Sequence, residues 1–349
     1  MRRLGLALQI ALTYIGTIVG AGFASGREIL QFFTRFGAVA ALTIVLAAAL
    51  FAWLGAKMML LAREIGAQSY EDLNMALFGP RFGKLVSYFM MLVLLGVTGV
   101  MLAGAGSVFS EHLNASYQLG LAVTLLACFL LLRKGMHAIL LVNTVVVPIM
   151  LLFTLLVMWH TTRAPGADRW LELTNDYSPW TLWLSPLLYT AFNLTLAQAV
   201  LVPLGARIQD RGAIRLGALL GGIGIGFMLL VGHIALSANM PGISQFAIPM
   251  GGIARQLGMV AQWIYIFLIY SEIFTTLIAD VYGLSLQVRS RFNWPRDLLI
   301  LAILGVSFLL SQIGFGTLLS TLYPIFGFVS LGWLALMIRR SARSRHRTP

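Results

Sequence analysis

The stretch TYIGTIVGAGFASGREILQFF, from Thr13 to Phe33, decides how this chain folds. It begins as an apolar run of the kind that crosses a membrane, and it then places glycines at positions 16, 20, 22 and 26. The charged pair Arg27-Glu28 follows directly. Glycine loosens a helix, and both free backbone groups and charges are costly in lipid. The stretch therefore predicts a membrane helix that is interrupted where protein or water, rather than lipid, surrounds it.

The composition of the whole chain agrees with a membrane protein. Of its 349 residues, 59% are hydrophobic and only 10% are charged, whereas soluble domains carry about 25% charged residues. The net charge of +12 lies in short loops and a C-terminal tail between apolar segments, where lipid headgroups explain it better than nucleic acid does. We expect an all-α integral membrane protein whose partners include membrane lipid and exclude nucleic acid.

Ten apolar segments approach the length of about 20 residues that a membrane-spanning helix needs. They are residues 5–34, 37–63, 82–110, 117–132, 136–159, 180–206, 212–238, 255–288, 297–313 and 315–338. If the N-terminus is cytoplasmic, this count places 18 of the 24 Lys and Arg residues on the cytoplasmic side and four on the other. Such a bias predicts ten transmembrane helices with both termini in the cytoplasm.

Ten spans divide into two halves of five. Residues 1–160 form the first predicted half, residues 180–338 the second, residues 161–179 an extracellular loop between them, and residues 339–349 a basic cytoplasmic tail. The first span of each half would enter from opposite sides, so the halves form a 5+5 inverted repeat, and transporters of this kind break helices at matching positions. The sixth span carries polar residues between Pro186 and Pro203, so we predict broken helices 1 and 6.

A break in the first span would create a binding site. The backbone N–H groups after Gly20-Ala21-Gly22-Phe23 would face an anion, and the carbonyls of Gly16 to Val19 would face a cation. An alternative interpretation is that the glycines only allow tight helix packing, because Gly16-x-x-x-Gly20 and Gly22-x-x-x-Gly26 are small-residue packing motifs. The adjacent Arg27-Glu28 pair and the polar sixth span favour the binding site.

The eighth span places oxygen atoms at membrane depth. Glu272, Thr275 and Thr276 lie at three- and four-residue spacing on one helix face, and intramembrane acids are functional candidates. Oxygen ligands suit a small hard cation. The alternative is that the threonines hydrogen-bond to carbonyls of their own helix and only pack. The single cysteine, Cys128, excludes an intramolecular disulfide, and the five scattered histidines indicate no metal site.

The first span closely resembles that of the YkvI-like bacterial membrane proteins, which are similar to distant members of the amino acid, polyamine and organocation transporter superfamily with the LeuT-type fold. The resemblance covers the whole ten-span layout. It implies that substrate contacts the break at Gly20, Ala21, Gly22 and Phe23, with contributions from Tyr189, Phe192 and Asn193 of the sixth span. It also implies a sodium ion held by the carbonyls of Gly16, Val19 and Glu272 and by the hydroxyls of Thr275 and Thr276.

The function we expect is secondary active transport of a small amino acid or amine-like solute, coupled to sodium and working by alternating access in the bacterial cytoplasmic membrane. Arg27, Glu28 and Gln31 would form an outer gate. We expect sodium as the coupling ion and no cofactor, and we expect a monomer or homodimer. Proton coupling through Glu28 or Glu272, a channel, and a solute sensor that does not transport stay open. We expect no enzyme, because no nucleophile is paired with a base.

Overall fold

The computed structural model describes residues 2–67, 69–134, 137–174, 176–289 and 294–344, and these residues form helices and connecting turns without a strand. In chain order the helices are α1 (Arg2–Ile18), α2 (Ala21–Ala24), α3 (Arg27–Phe32), α4 (Ala40–Ile65), α5 (Tyr70–His112), α6 (Tyr117–Lys134), α7 (His137–Thr161), α8 (Arg169–Glu172), α9 (Pro179–Arg207), α10 (Arg211–Ala238), α11 (Pro249–Gln256), α12 (Met259–Arg289), α13 (Arg296–Ser311) and α14 (Phe315–Ser344). Two 3₁₀ segments, Thr34–Val39 and Gly242–Gln245, precede α4 and α11.

Six of the helical segments in the described part of the chain are long and apolar enough to cross a membrane. They are Thr34–Ile65, Tyr70–His112, Pro179–Arg207, Arg211–Ala238, Met259–Ser285 and Phe315–Arg339. Shorter apolar helices are Arg3–Ile18, Tyr117–Arg133 and Val146–Thr161. The all-α membrane architecture is therefore confirmed, and the count of ten spans stays a prediction.

The stretch from Thr13 to Phe33 is divided into three helices. Helix α1 ends at Ile18, Val19 and Gly20 are not helical, and the short α2 follows. Gly26 then takes a left-handed backbone conformation with φ of 80° before α3 begins, a conformation that glycine adopts without steric cost. The chain thus changes direction twice within a few residues of the predicted interruption.

The predicted break in the sixth span is wrong for the helix as observed. Helix α9 runs from Pro179 to Arg207 without interruption. Each proline removes only one backbone donor, and the sequence between Pro186 and Pro203 has no glycine to release the chain. The side-chain amides of Asn193 and Gln198 donate to the carbonyls of Tyr189 (3.0 Å) and Thr195 (2.9 Å) of the same helix.

Two predicted boundaries also move. The eighth span was predicted to begin at residue 255, but Gly258, with φ of 103°, separates α11 from α12, which begins at Met259. The tail was predicted to begin at residue 339, but α14 continues to Ser344. The last five residues of that predicted tail, 345–349, lie outside the described residues.

Between α4 and the long part of α5 lies a short helix that the chain defines sharply at both ends. The Ser69 hydroxyl accepts from the Asp72 amide (3.2 Å), and the Asp72 carboxylate accepts from the Ser69 amide (2.9 Å). Gly79, with φ of 78° and ψ of 170°, ends it before the long helix. The indole of Trp333 in α14 donates to buried Asn74 (2.9 Å), which fixes the short helix against the bundle.

The spanning helices pack in two groups. Helices α1, α4, α9 and α10 contact one another extensively, and α5 forms a second group with α6, α12 and α13. Glycines allow close approach within the first group. A Cβ at Gly222 would lie 2.6 Å from the Ala52 amide nitrogen, and one at Gly205 would lie 2.5 Å from the Met59 carbonyl oxygen. These contacts involve backbone, so a side chain at either glycine has to move a helix.

We therefore expect Gly222→Ala to destabilise the protein by about 1–3 kcal/mol, the usual cost of overpacking, and to lower its melting temperature in detergent. Gly305→Ala in α13 is the matched control, because a Cβ there meets no atom within 4 Å. Equal melting temperatures for the two variants would contradict the close approach of α10 and α4.

Candidate substrate site

The interruption after α1 leaves backbone groups without partners. The N–H of Ala24 donates to the Gly20 carbonyl (2.9 Å), and the N–H of Gly20 donates to the Ile18 carbonyl (2.9 Å). Between them, the N–H groups of Ala21, Gly22 and Phe23 donate to no backbone acceptor among the described residues. The three predicted substrate-binding amides are therefore available, although the helix that follows them is only four residues long.

The carboxyl group of Glu28 lies inside this site. Its side chain is 4% exposed, and a Cβ at Gly22 would collide with Oε1 of Glu28. It interacts electrostatically with the hydroxyls of Tyr189 and Tyr323. In the part of the chain that the structure describes, neither Oε2 of Glu28 nor the Tyr189 hydroxyl makes a hydrogen bond of good geometry. The bundle thus holds an acid that no side chain neutralises.

The three residues predicted to form an outer gate, Arg27, Glu28 and Gln31, lie in different surroundings. Gly26 turns the chain through a left-handed conformation immediately before α3, so that Arg27 and Glu28 point to different surroundings. Arg27 is half-buried and donates to the carbonyls of Ser244 (3.0 Å) and Phe246 (3.2 Å). Gln31 is half-buried one turn further along α3. Glu28 is buried in the bundle, and the gate formed by Arg27, Glu28 and Gln31 stays a prediction.

Aromatic rings surround the Glu28 carboxyl. The Tyr189 ring centroid lies 5.3 Å from that of Phe32, 5.1 Å from that of Phe33 and 5.9 Å from that of Phe51. On the other side, Phe192 lies 4.4 Å from Tyr323. Sequence reasoning named Tyr189 and Phe192 but missed the partners from the other spans.

One sequence signal for Tyr323 existed. It stands directly before Pro324 inside the tenth span, and an aromatic hydroxyl beside a proline in a membrane helix marks a polar group that needs a partner at depth. Asn193, by contrast, was predicted to contact substrate, and its amide is occupied by the Tyr189 carbonyl of its own helix.

The structure places the predicted sodium ligands in different surroundings. The Thr275 hydroxyl donates to the carbonyls of Ser271 (2.9 Å) and Glu272 (3.3 Å) in its own helix, as the packing interpretation expects. A Cβ at Gly16 would lie 2.6 Å from Val147 of α7, so this glycine also serves helix packing. Helix α12 contacts the interruption through the Tyr265 hydroxyl, which donates to the Ala24 carbonyl (3.0 Å).

The sodium site made of Gly16, Val19, Glu272, Thr275 and Thr276 therefore stays a prediction. Within the described residues no group of three or more His, Cys, Asp or Glu side chains is placed to hold a metal ion. Beside the interruption lies one cavity of about 20 Å³ with a mostly apolar lining that includes Phe23 and Tyr265. This volume holds about one water molecule, and Glu28 is not among the residues that line it.

The segment from Asn239 to Gly258 covers the site from one end of the molecule. The Glu111 carboxylate at the end of α5 accepts from the amides of Ala247 (2.9 Å) and Ile248 (3.1 Å). The Met250 amide donates to the Ser25 carbonyl (2.9 Å), which joins the segment directly to the interrupted helix. Ile243 and Ile248 of this segment are buried, so the loop dips into the bundle.

The architecture is that of LeuT-type transporters. The chain superposes on Mhp1 in its inward-facing conformation with a TM-score of 0.65 and 11% identity, covering 95% of this chain and 75% of Mhp1. It superposes on the Eremococcus coleocola manganese transporter with a TM-score of 0.56 and 13% identity, covering 96% and 78% of the two chains. These likenesses define the fold of a LeuT-type membrane protein.

Sequence comparison identifies the family. The chain is 38% identical over 345 residues to the Bacillus subtilis membrane protein YkvI, covering 98% of both chains, and it belongs to the YkvI family. It is also 25% identical over 330 residues to Bacillus subtilis YyaD, covering 94% of both. No family model matches the chain. The resemblance inferred from the first span is thereby confirmed.

We expect Glu111→Gln to loosen the covering segment, because a neutral amide is a weaker acceptor for the two loop amides than a carboxylate is. Hydrogen exchange at Ala247 and Ile248 should become several-fold faster, while exchange in the core of α10 stays unchanged. The control is Glu172→Gln, an exposed acid in α8. Unchanged exchange rates of both amides in Glu111→Gln would contradict the proposal that the Glu111 carboxylate holds the covering segment.

Proposed function

We propose that this protein is a secondary active transporter of a small amino acid or amine-like solute. One observation carries the proposal: a buried carboxyl, Glu28, lies without a cationic partner beside the unpaired amides of an interrupted helix. An uncompensated charge and unpaired amides inside a bundle are costly, and they are retained at sites that a ligand completes. The LeuT-type fold supports the same conclusion, because Mhp1 and the manganese transporter share it.

The topology we propose has ten spans arranged as a 5+5 inverted repeat, with both termini in the cytoplasm of a bacterium. Ion pairs at one end of the bundle support a common cytoplasmic face: Arg3 with Asp210 (3.4 Å), Arg133 with Asp297 (3.4 Å) and Arg211 with Glu64 (3.6 Å). They lie where the predicted cytoplasmic loops begin, as the excess of basic residues on that side requires.

Alternating access would use the two packing groups as its moving parts. The group of α1, α4, α9 and α10 is joined internally by glycine contacts between helix backbones, so it moves as one body. The group of α5, α6, α12 and α13 would form the scaffold against which it rocks. The interrupted segment lies between them, since α2 contacts α12 while α1 contacts α10.

We propose sodium as the coupling ion, with protons carried by Glu28 or Glu272 as the alternative. Sodium binding would require the Thr275 hydroxyl to leave its own helix carbonyls and α12 to approach the carbonyls of Gly16 and Val19. Thr276, which is half-buried on the same helix, would supply the second hydroxyl. Proton coupling needs no such rearrangement, because burial already disfavours the charged form of a carboxyl.

The test is the melting temperature of the detergent-purified protein with amino acids and amines, each with and without sodium. A ligand that binds only the folded state raises the melting temperature. We expect a ligand whose stabilisation depends on sodium, and we expect Thr276→Ala to remove that dependence. Thr317→Ala, an exposed threonine of α14, is the control.

Uptake into liposomes then separates transport from sensing, because a sensor would bind the same ligand without accumulating it. Stabilisation that is independent of sodium and varies with pH would favour proton coupling. Neither ion-dependent binding nor uptake of any amino acid or amine would contradict the proposed function.

A further inference from the structure

We propose that the Glu28 carboxylate recognises the positive charge of the solute, and that the solute is an organic amine without a carboxylate of its own. The inference rests on the proposed function, since it names the class of solute for the same site. It chooses between amines and amino acids as the solute, a choice that neither the fold nor the sequence of the first span makes.

The first step is that the charged form of Glu28 requires a cation from outside the protein. It is almost completely buried, and a buried charge without a partner is costly enough that proteins pair it or neutralise it. Among the described residues no Lys, Arg or His forms an ion pair with it. The neighbouring Arg27 is bound to loop carbonyls and interacts with the charge of Glu111 instead.

The described side chains that interact electrostatically with Glu28 are phenols. Helix α9 contributes Tyr189 and helix α14 contributes Tyr323. Helix α12 adds only a further acid to this region, because Asp280 also acts on Tyr323. Two phenols therefore lie beside the carboxyl, a second acid acts on one of them, and this environment attracts a cation from solution.

The second step is that the surroundings suit an organic ammonium better than a metal ion. Hard divalent ions take six to eight oxygen ligands, whereas the groups next to Glu28 are aromatic rings with two hydroxyls. Ring faces attract ammonium groups by about 0.5–2 kcal/mol. Tyr189, packed against Phe32 and Phe33, and Tyr323, packed against Phe192, provide such faces with rigid support.

The third step excludes a carboxylate on the solute. An amino acid carboxylate that approached the free amides around Gly22 would come close to Oε1 of Glu28, which lies beside the α-carbon of Gly22. Two carboxylates in one buried site repel each other, and the four-residue α2 has too few peptide dipoles to compensate for both. The protein carries the negative charge itself, so the solute brings only the positive one.

The experiment compares each amino acid with the amine and the alcohol of the same side chain. The probes are valine, isobutylamine and isobutanol, and phenylalanine, phenethylamine and 2-phenylethanol. Further diamine probes are cadaverine, paired with lysine, and agmatine, paired with arginine. Binding to the full-length purified protein is measured by melting temperature and by calorimetry, for the wild type, Glu28→Gln and the exposed control Glu172→Gln.

We expect at least one amine to bind about tenfold more tightly than its amino acid and its alcohol, and Glu28→Gln to lose about tenfold or more in affinity for it. Tenfold corresponds to about 1.4 kcal/mol. The variant should melt no lower than the wild type, because it removes an unpaired buried charge, so lost binding does not mean lost folding. Gly22→Ala should weaken the same amine by displacing the carboxyl.

Three results would overturn the inference: an amino acid that binds as tightly as its amine, full amine binding by Glu28→Gln, or no binding of any amine in the millimolar range. The last result would identify a proton as the partner of Glu28. The two proposals fail separately. Glu28-dependent amine binding without uptake into liposomes would support the inference and contradict transport. Amino acid uptake that is equal in the wild type and Glu28→Gln would support transport and contradict the inference.

Discussion

The candidate site depends on one buried acid, Glu28, that has no cationic partner among the described residues. Glu28 is buried at the centre of a helix bundle, and the charged neighbour beside it in sequence, Arg27, is turned away to hold a loop. A protein that needed only stability would pair or replace such an acid, since apolar replacements of buried charges are often neutral or stabilising. We propose that the missing partner is a cation that binds from solution. The interruption of the first helix places the carboxyl where such a cation can bind.

The same stretch of chain connects the site to the parts that would move. Gly26 sets the direction of α3, Ser25 accepts from the Met250 amide of the covering segment, and the Ala24 carbonyl accepts from Tyr265 of α12. A ligand bound at Glu28 is therefore within four residues, along the chain, of contacts to both the covering segment and the scaffold. Binding can shift these contacts only if the ligand has different affinities for two conformations of the protein.

Much of the fold could be predicted from the sequence because the membrane restricts the alternatives. The lengths of the apolar segments predicted most helix boundaries within a few residues. Ser69 caps the N-terminus of its helix and Gly79 ends the short helix, as the preferences of serine and glycine at helix ends predict. The interruption at Gly20 could be predicted for the same reason. The sixth span could not, because prolines alone do not show whether neighbouring side chains keep a helix continuous.

The helix interruption was predicted from the sequence, whereas its role as a binding site stays a prediction. The sequence indicated the interrupted segment, yet the direction of Glu28 depends on the backbone conformation of Gly26, and the contact of Tyr323 with Phe192 depends on how the tenth span packs. The predicted sodium ligands show what a family resemblance cannot predict. It indicates which residue types occupy the matching positions, but not that the Thr275 hydroxyl donates within its own helix. Three-dimensional partners, which one sequence does not contain, decide these points.

The most direct test of this account is accumulation of a radiolabelled amine by liposomes that contain the wild-type protein, compared with liposomes that contain Glu28→Gln. The account predicts accumulation above that of empty liposomes for the wild type and none for the variant, with the variant melting no lower than the wild type. Equal accumulation by the two proteins would show that Glu28 is not the group on which the site depends.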